Sequence, residues 1–228
     1  MTEMQAIQRA PEMLDRAALR RAQEETEQAP RRHYGILARI LFRALDVFYG
    51  RPRTLPKYRM LELIARVPYQ AWEQVAYVAV THTSDRTDLA ERIQERVEEA
   101  RSQQDNEQWH LLILEEYIAR QGHRMGWLRF RVIPQVAAFG YYQISWLLYV
   151  IRPSLSYRLN ADFEDHAEHE YMAIVAEHPE WETEPFKSDL GSPYDALDTF
   201  ADVLRQIGHD ERIHKQESIA RMRQPRFQ

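Results

Sequence analysis

Two short motifs carry most of the chemistry that this chain offers. Glu107 and His110, and again Glu211 and His214, stand three residues apart within stretches of helical periodicity. On a helix that spacing puts carboxylate and imidazole on adjacent turns of one face, where both can grip one metal ion. One such motif is weak evidence, because with 9 His in the chain roughly one Glu-x-x-His match is expected by chance. The order of the chain strengthens it. Each motif is preceded, at a similar distance, by a helical stretch offering a single carboxylate, Glu62 before the first and Glu164 before the second. A glutamate followed by Glu-x-x-His, twice over, is the ligand set with which four-helix bundles hold two metals, two glutamates bridging and each histidine capping one ion. Carboxylate oxygens with one imidazole per metal favour iron or manganese over copper or zinc. The competing reading is exposed ion pairing at i,i+3. Against it, Leu204 and Ile207 share the face of Glu211 and His214, and Tyr171 lies two turns from Glu164 on the same face, so the pattern points these groups inward.

The second helix leaves two candidates open, because Glu73 lies three turns from Glu62 on the same face. Arg66, one turn from Glu62, is an odd neighbour for a cation site. His166 and His169 flank Glu164 in sequence, but their angular positions turn away from it. With Asp165, Glu168 and Glu170 they read as a solvated face.

The elements that must position these residues are helices. The chain has 228 residues and only 7 Gly, long enough for one domain with a sizeable core and short of the turn signals that sheets need. The predicted fold is all-α, a single domain over residues 32–224 preceded by a mobile arm over 1–31 with no secretory signal in it. The absence of Cys excludes disulfides, zinc knuckles and thiolate-held clusters, and suits a reducing cytoplasm. A formal charge of −5 on a mixed surface gives no concentrated basic face, so nucleic acid is not an expected partner.

Helices are predicted from Arg32 to Tyr49, from about Lys57 to His82, from near Asp88 to Gly122 with Ser84 and Thr87 as capping types, from Pro153 to His178, and from Ser192, with Pro193 in its first turn, toward Met222 before Pro225. The first is basic and amphipathic, with Ile36, Leu37, Ile40, Leu41, Ala44, Val47 and Phe48 in one stripe and Arg32, Arg39 and Arg43 outside it. Val132 to Ile151 carries no charge. Its Pro134, Gln135, Gly140, Gln143 and Ser145 argue against a membrane crossing, and Tyr141, Tyr142, Trp146 and Tyr149 are aromatics of the headgroup type. Together the two stretches predict an apolar face that lies on one leaflet of a bilayer without crossing it.

At the motif residues the chain resembles the alternative oxidases, the cyanide-insensitive quinol oxidases of respiratory membranes and plastids. The family's Leu-Glu-Thr segment is similar to Leu61-Glu62-Leu63, with Ala65, Val67 and Pro68 in matching places, which favours Glu62 over Glu73. Asn-Glu-Arg-Met-His is similar to Asn106-Glu107-Gln108-Trp109-His110, and Leu-Glu-Glu-Glu-Ala to Phe163-Glu164-Asp165-His166-Ala167. Tyr171 falls on the family's functional tyrosine, after an upstream run kept as Pro153, Leu155 and Arg158. Asp210-Glu211-Arg212-Ile213-His214 matches the last motif. The resemblance spans roughly Arg32 to Gln216. The chain departs from it at Lys57 and Gly208, where the family has arginine, and at His166 and Glu170, and some of these positions line the family's quinol pocket. The family's regulatory cysteine is absent.

The resemblance implies a ferritin-like bundle whose two iron ions are held by Glu62, Glu107, His110, Glu164, Glu211 and His214, with Tyr171 catalytic. It implies quinol and O2 as substrates, water as product, no proton pumping, and a homodimer held peripherally on the cytoplasmic face of a membrane. The changed pocket positions keep a second enzyme reading open, a di-iron hydroxylase or desaturase acting on a lipidic or quinone-precursor substrate. Outside enzymes, the alternative is a non-catalytic iron-binding or membrane-scaffolding protein.

Overall fold

The computed structural model describes residues 13–83, 85–122, 126–224 and 227. Among these the chain forms eight α-helices, and its only β pairing is a single bridge between Pro185 and Thr199. The helices are α1 (Arg16–Gln28), α2 (Ile36–Tyr49), α3 (Leu55–Ala65), α4 (Val67–Val80), α5 (Thr87–Arg120), α6 (Ile133–Ile151), α7 (Pro153–Glu177) and α8 (Phe200–Arg223). Helices α3, α5, α7 and α8 surround the centre of the bundle, and α4, α6, α1 and α2 pack around them.

Helices α7 and α8 run against one another at very close range, and Gly208 is where they meet. A Cβ added there would lie 2.9 Å from Cε of Met172, a flexible tip that can turn aside, and 3.1 Å from Cβ of Tyr171, which would have to give by a few tenths of an ångström, so the close approach suits glycine. Helix α5 stops at Gly122, whose φ of +68° is the left-handed turn that glycine supplies without strain. At the same end of the bundle Tyr117 stacks on Phe200, ring centres 3.6 Å apart and nearly parallel.

Five sequence expectations change, the last of them the solvated face of α7. The helix expected from Lys57 to His82 breaks at Arg66, because Pro68 cannot donate into the ladder. Ser192 and Pro193 start a short 3₁₀ turn ending at Ala196, and α8 begins only at Phe200, capped by Thr199, whose Oγ1 accepts from the Asp202 amide. Tyr141 and Tyr149 are buried in the core, so they do not serve as headgroup aromatics. The fourth change concerns the arm expected over 1–31. Residues 1–12, like Ser84 and Pro225, lie outside the described residues, but Arg16–Gln28 is the regular helix α1, capped by Asp15 and anchored by a fully buried Leu19.

That helix, the segment after it, Arg53 and α8 together keep the acidic face of α7 from solvent. Asp165, Glu168 and Glu170 are all buried. Asp165 accepts from the Arg32 amide and from Tyr34 Oη, both at 3.0 Å, and pairs with Lys215 Nζ at 3.1 Å. Glu168 takes Thr26 Oγ1 at 2.7 Å and Arg212 Nε at 2.9 Å. Glu170 is held by Arg31 at 2.8 Å and Arg53 at 3.1 Å. His169 is also buried, Nδ1 on the carbonyl of Asp165 at 2.7 Å. The cover comes from residues 26–34, Arg53 and, on α8, Arg212 and Lys215, all far away in sequence, which no local periodicity reveals.

The other end of α1 is fixed by Glu182, which accepts from Arg205, from Arg20 at 2.9 Å and from Arg16 at 3.1 Å. The Arg205 hydrogen bond, aided by those from Arg20 and Arg16, holds its carboxyl down at about 2. Because the folded value lies below the ordinary 4.5, this anchorage is present above pH 4.5 and is lost as pH falls toward 2. Amide exchange of residues 16–28 should therefore rise over that interval in the native chain, and Glu182→Gln should already show the raised exchange at neutral pH with little further rise in acid.

Candidate metal centre

The six predicted ligand side chains come to one place from four helices. Glu62 arrives from α3, Glu107 and His110 from α5, Glu164 from α7, and Glu211 and His214 from α8. All six are buried, and Glu107, His110, Glu164 and Glu211 are 0% exposed. Their ligand atoms form two sets, Glu62, Glu107, His110 and Glu211, then Glu107, Glu164, Glu211 and His214, and within each set the atoms lie within 4.8 Å of one another. Glu107 and Glu211 belong to both. The arrangement therefore has two positions for a cation, with two carboxylates shared between them and one imidazole at each.

Individual distances bear this out. His110 Nδ1 lies 3.1 Å from Glu211, 3.2 Å from Glu62 and 3.7 Å from Glu107. His214 Nδ1 lies 2.8 Å from Glu107 and 3.5 Å from Glu211. Close as these are, both carboxylate oxygens of Glu107 and of Glu211, Oε2 of Glu164 and Nδ1 of His214 make no hydrogen bond of proper geometry. Buried polar atoms are normally satisfied, so this concentration of orphans marks a place built for something else. Four carboxylates carry −4 and two divalent cations +4, which closes the charge balance in a water-free core where unpaired charge is very costly. The residues fit a pair of iron or manganese ions.

The protonation tendencies of the bare chain say the same thing. Burial, reinforced by the charges of Glu211 and Glu107, pushes the Glu62 carboxyl up to about 8, and pushes Glu164 well up. Burial disfavours charge on His110 and His214, but Tyr194, Asp210, Glu107 and Glu211 around the first, and Glu107 and Glu211 around the second, raise both well above the ordinary imidazole value. Without cations, Glu62, Glu164 and both imidazoles gather protons, while His110 and His214 hold the Glu211 carboxyl down against its burial.

The outer contacts orient these ligands. His110 Nε2 donates to Tyr194 Oη at 2.8 Å, and that hydroxyl donates to Asp210 at 2.6 Å while accepting from Asn106 at 2.7 Å. With its proton on Nε2, His110 presents Nδ1 to the carboxylates, which is how a metal-binding imidazole is fixed. Tyr171 donates to Oε1 of Glu62, and Tyr69 donates to Oε1 of Glu164 at 2.7 Å. Residue pattern alone does not mark Tyr69, Asn106, Tyr194 and Asp210 as functional. Asn106 and Asp210 adjoin ligands, and Tyr69 stands seven residues after Glu62 as Tyr171 does after Glu164, a signal that was there to find.

The rivals are elsewhere. Glu73 pairs with Arg101 at 2.6 Å and accepts from Gln104 at 2.8 Å, and Arg66 turns outward onto Gln108. A third cluster of possible ligands, Asp165, Glu168 and His169, is already neutralised by Lys215 and Arg212, so it is an ion-pair network. The departing positions Lys57, His166 and Glu170 are each held by other side chains. Lys57 pairs with Asp46 at 2.6 Å, His166 stacks on Phe42 at 4.0 Å beside Arg31, and Glu170 holds Arg31, Arg53 and Tyr58.

An all-helical bundle with a buried, duplicated carboxylate and imidazole set belongs to the class built to carry paired metal ions. The chain belongs to the alternative oxidase family, whose model matches residues 15–220 and so takes in α1 as well. It is also similar to the Arabidopsis thaliana protein named ubiquinol oxidase 4, chloroplastic/chromoplastic, 33% identical over 131 residues. That stretch is 58% of this chain and spans only 34% of the relative's length.

Shared and unshared ligands should separate on titration. Glu62→Ala should keep one metal equivalent, because it touches one set only. Glu211→Ala should weaken both, because it removes a carboxylate from each. Elemental analysis and binding isotherms on the two variants check this, and loss of the same single equivalent in both would contradict the sharing.

Proposed function

We propose that this chain is a di-iron quinol oxidase that reduces O2 to water at the surface of a membrane. The observation that carries it is the two-position ligand set, with a buried tyrosine on one of its carboxylates, inside a chain of the alternative oxidase family. Reduction of one O2 to two waters takes four electrons and four protons, which two quinols supply, so the overall reaction balances without a pumped proton.

Two irons held by Glu62, Glu107, His110, Glu164, Glu211 and His214 would supply the redox capacity for O2. The remaining work falls to the chain. The phenol of Tyr171 is fully buried and donates a hydrogen bond to Oε1 of Glu62. Burial, with the Glu62 charge, raises its pKa well above the ordinary phenol value, so it stays protonated and can yield a hydrogen rather than lose a bare proton to water. Tyr194 and Asp210 hold the His110 ring in the tautomer that leaves Nδ1 free. The packed aromatics and aliphatics of the core exclude bulk water from all of these groups. Near the base of the bundle, a cavity of about 430 Å³ between the start of α3 and the end of α7 is lined by Leu55, Pro56, Ile174 and Trp181. Ile174 is one helical turn from Tyr171, and the volume is of the order that accepts a ring-sized ligand.

The membrane part of the proposal rests on inverted amphipathicity. On α2 the residues turned inward are Ala38 and Leu45, while Ile36, Leu37, Ile40, Val47 and Phe48 are exposed. On α6 Val136, Phe139, Ile144, Leu147 and Ile151 are exposed, with Trp127 and Leu128 just before it. Tyr49 at the end of α2 donates to the Arg129 carbonyl, joining the two exposed stretches. Among the described residues no helix is long and apolar enough to cross a membrane, so these faces suit in-plane attachment to one leaflet. A homodimer is the expected state.

Oxygen uptake by the iron-loaded protein with ubiquinol, with the organic product examined by mass spectrometry, tests the function. Quinone alone supports the oxidase, and a product carrying an added oxygen atom would overturn it. Tyr171→Phe should lower turnover at least about 10²-fold, the scale set by loss of a positioned proton donor, while iron content at saturation stays at two per chain.

Attachment can be tested separately. Burial of an Ile or Phe side chain is worth about 1.5–3 kcal/mol, so the double variant Ile40→Glu with Phe139→Glu should weaken co-sedimentation with liposomes at least about tenfold. Unchanged binding would contradict the proposed face.

A further inference from the structure

The two single-carboxylate helices repeat more than their glutamate. Glu62 is followed seven residues later by Tyr69, and Glu164 seven residues later by Tyr171. Within α7 seven residues is two helical turns, so Tyr171 shares the face of Glu164, whereas Tyr69 lies past the break at Arg66, on α4, and is turned to the same centre from there. The phenols then cross over. Tyr171 from α7 donates to Glu62 from α3, and Tyr69 from α4 donates to Glu164 from α7 at 2.7 Å. Each carboxylate that belongs to only one cation position thus takes a phenol from the opposite side, so Tyr69 stands to the second position as Tyr171 stands to the first.

We propose that Tyr69 is the positioning residue of the second cation position, orienting Glu164 through a hydroxyl whose own direction is fixed by Asn160. Tyr69, Asn160 and Glu164 are all 0% exposed. Asn160 Nδ2 donates to Tyr69 Oη at 2.9 Å and to Ser218 Oγ at 3.1 Å. A hydroxyl that accepts from an amide keeps its one hydrogen for another acceptor, and here that acceptor is Oε1 of Glu164. Occupation of Oε1 leaves Oε2, which makes no hydrogen bond, turned to the set formed with Glu107, Glu211 and His214. The Tyr69 ring also meets the His214 ring edge to face at 5.8 Å, so the same residue bears on both ligands found only at the second position. Outer partners of this kind are worth 10–100-fold in metal affinity.

This inference rests on the two-position metal reading but not on the oxidase activity, and metal binding alone tests it. Cobalt(II), whose visible absorption reports its coordination, is titrated into the metal-free full chain. In a Glu62→Ala background only the second position remains intact. Adding Tyr69→Phe there should weaken the remaining equivalent 10–100-fold and alter its absorption, whereas adding Tyr171→Phe should leave both unchanged. In a Glu164→Ala background the effects should exchange. In the otherwise native chain Tyr69→Phe should split the isotherm into one tight and one weakened equivalent, with the helical circular dichroism of the metal-free protein unaltered. Isotherms unaffected by Tyr69→Phe, or equal effects of both phenols in both backgrounds, would overturn the inference. A native chain binding fewer than two equivalents would overturn the metal reading along with it.

Discussion

Four carboxylates and two imidazoles converge in a core closed to water, and everything else in this structure is arranged around the electrostatic demand they make. Gathering four like charges there without compensation would cost far more than the few kcal/mol by which a domain of this size is stable. Either protons or cations must be supplied. Protons answer part of the demand, as the raised values of Glu62, Glu164, His110 and His214 show. They still leave six orphaned atoms on the ligand residues, a pattern that metal coordination satisfies and hydrogen bonding does not.

Holding such a cluster requires rigid walls, and the fold provides them in layers. Gly208 lets α7 and α8 close to contact beside Tyr171. The break at Arg66 lets α3 and α4 each send a side chain, Glu62 and Tyr69, to the same centre from slightly different directions. Outside this, Thr26 and the Arg32 amide hydrogen-bond the buried acids on the far side of α7, Arg31 pairs with Glu170, and Lys215 and Arg212 of α8 neutralise Asp165 and Glu168, so α7 carries charge on both faces without exposing either. The peripheral α2 and α6 face the opposite way from ordinary surface helices, apolar side out. The chain thus keeps its polar groups deepest and part of its apolar surface outermost.

How much of this the sequence discloses depends on whether the relevant pattern is local. Repetition of Glu, then Glu-x-x-His, is a local pattern read twice, and it sufficed to select the six side chains that the structure brings together. The tyrosine repeat at seven residues was equally local, but a lone Tyr69 in an apolar helix reads as core packing. Non-local relations were hidden. Nothing near Asp165, Glu168 and Glu170 tells that Thr26, Arg31 and Arg212 will cover them, so a periodicity argument assigns them to solvent. Ser192 and Thr199 both qualify as helix caps, and only the packing of Tyr194 against His110 decides that the chain must turn once more before α8 starts. The polar, charged residues 16–28 resemble a mobile tail until Arg16 and Arg20 are seen to meet Glu182.

If two cation positions share Glu107 and Glu211, anomalous diffraction from iron-loaded crystals at the iron edge should give two peaks, one enclosed by Glu62, Glu107, His110 and Glu211 and the other by Glu107, Glu164, Glu211 and His214. A single peak, or iron seated at Asp165, Glu168 and His169 with the central cluster empty, would contradict that sharing.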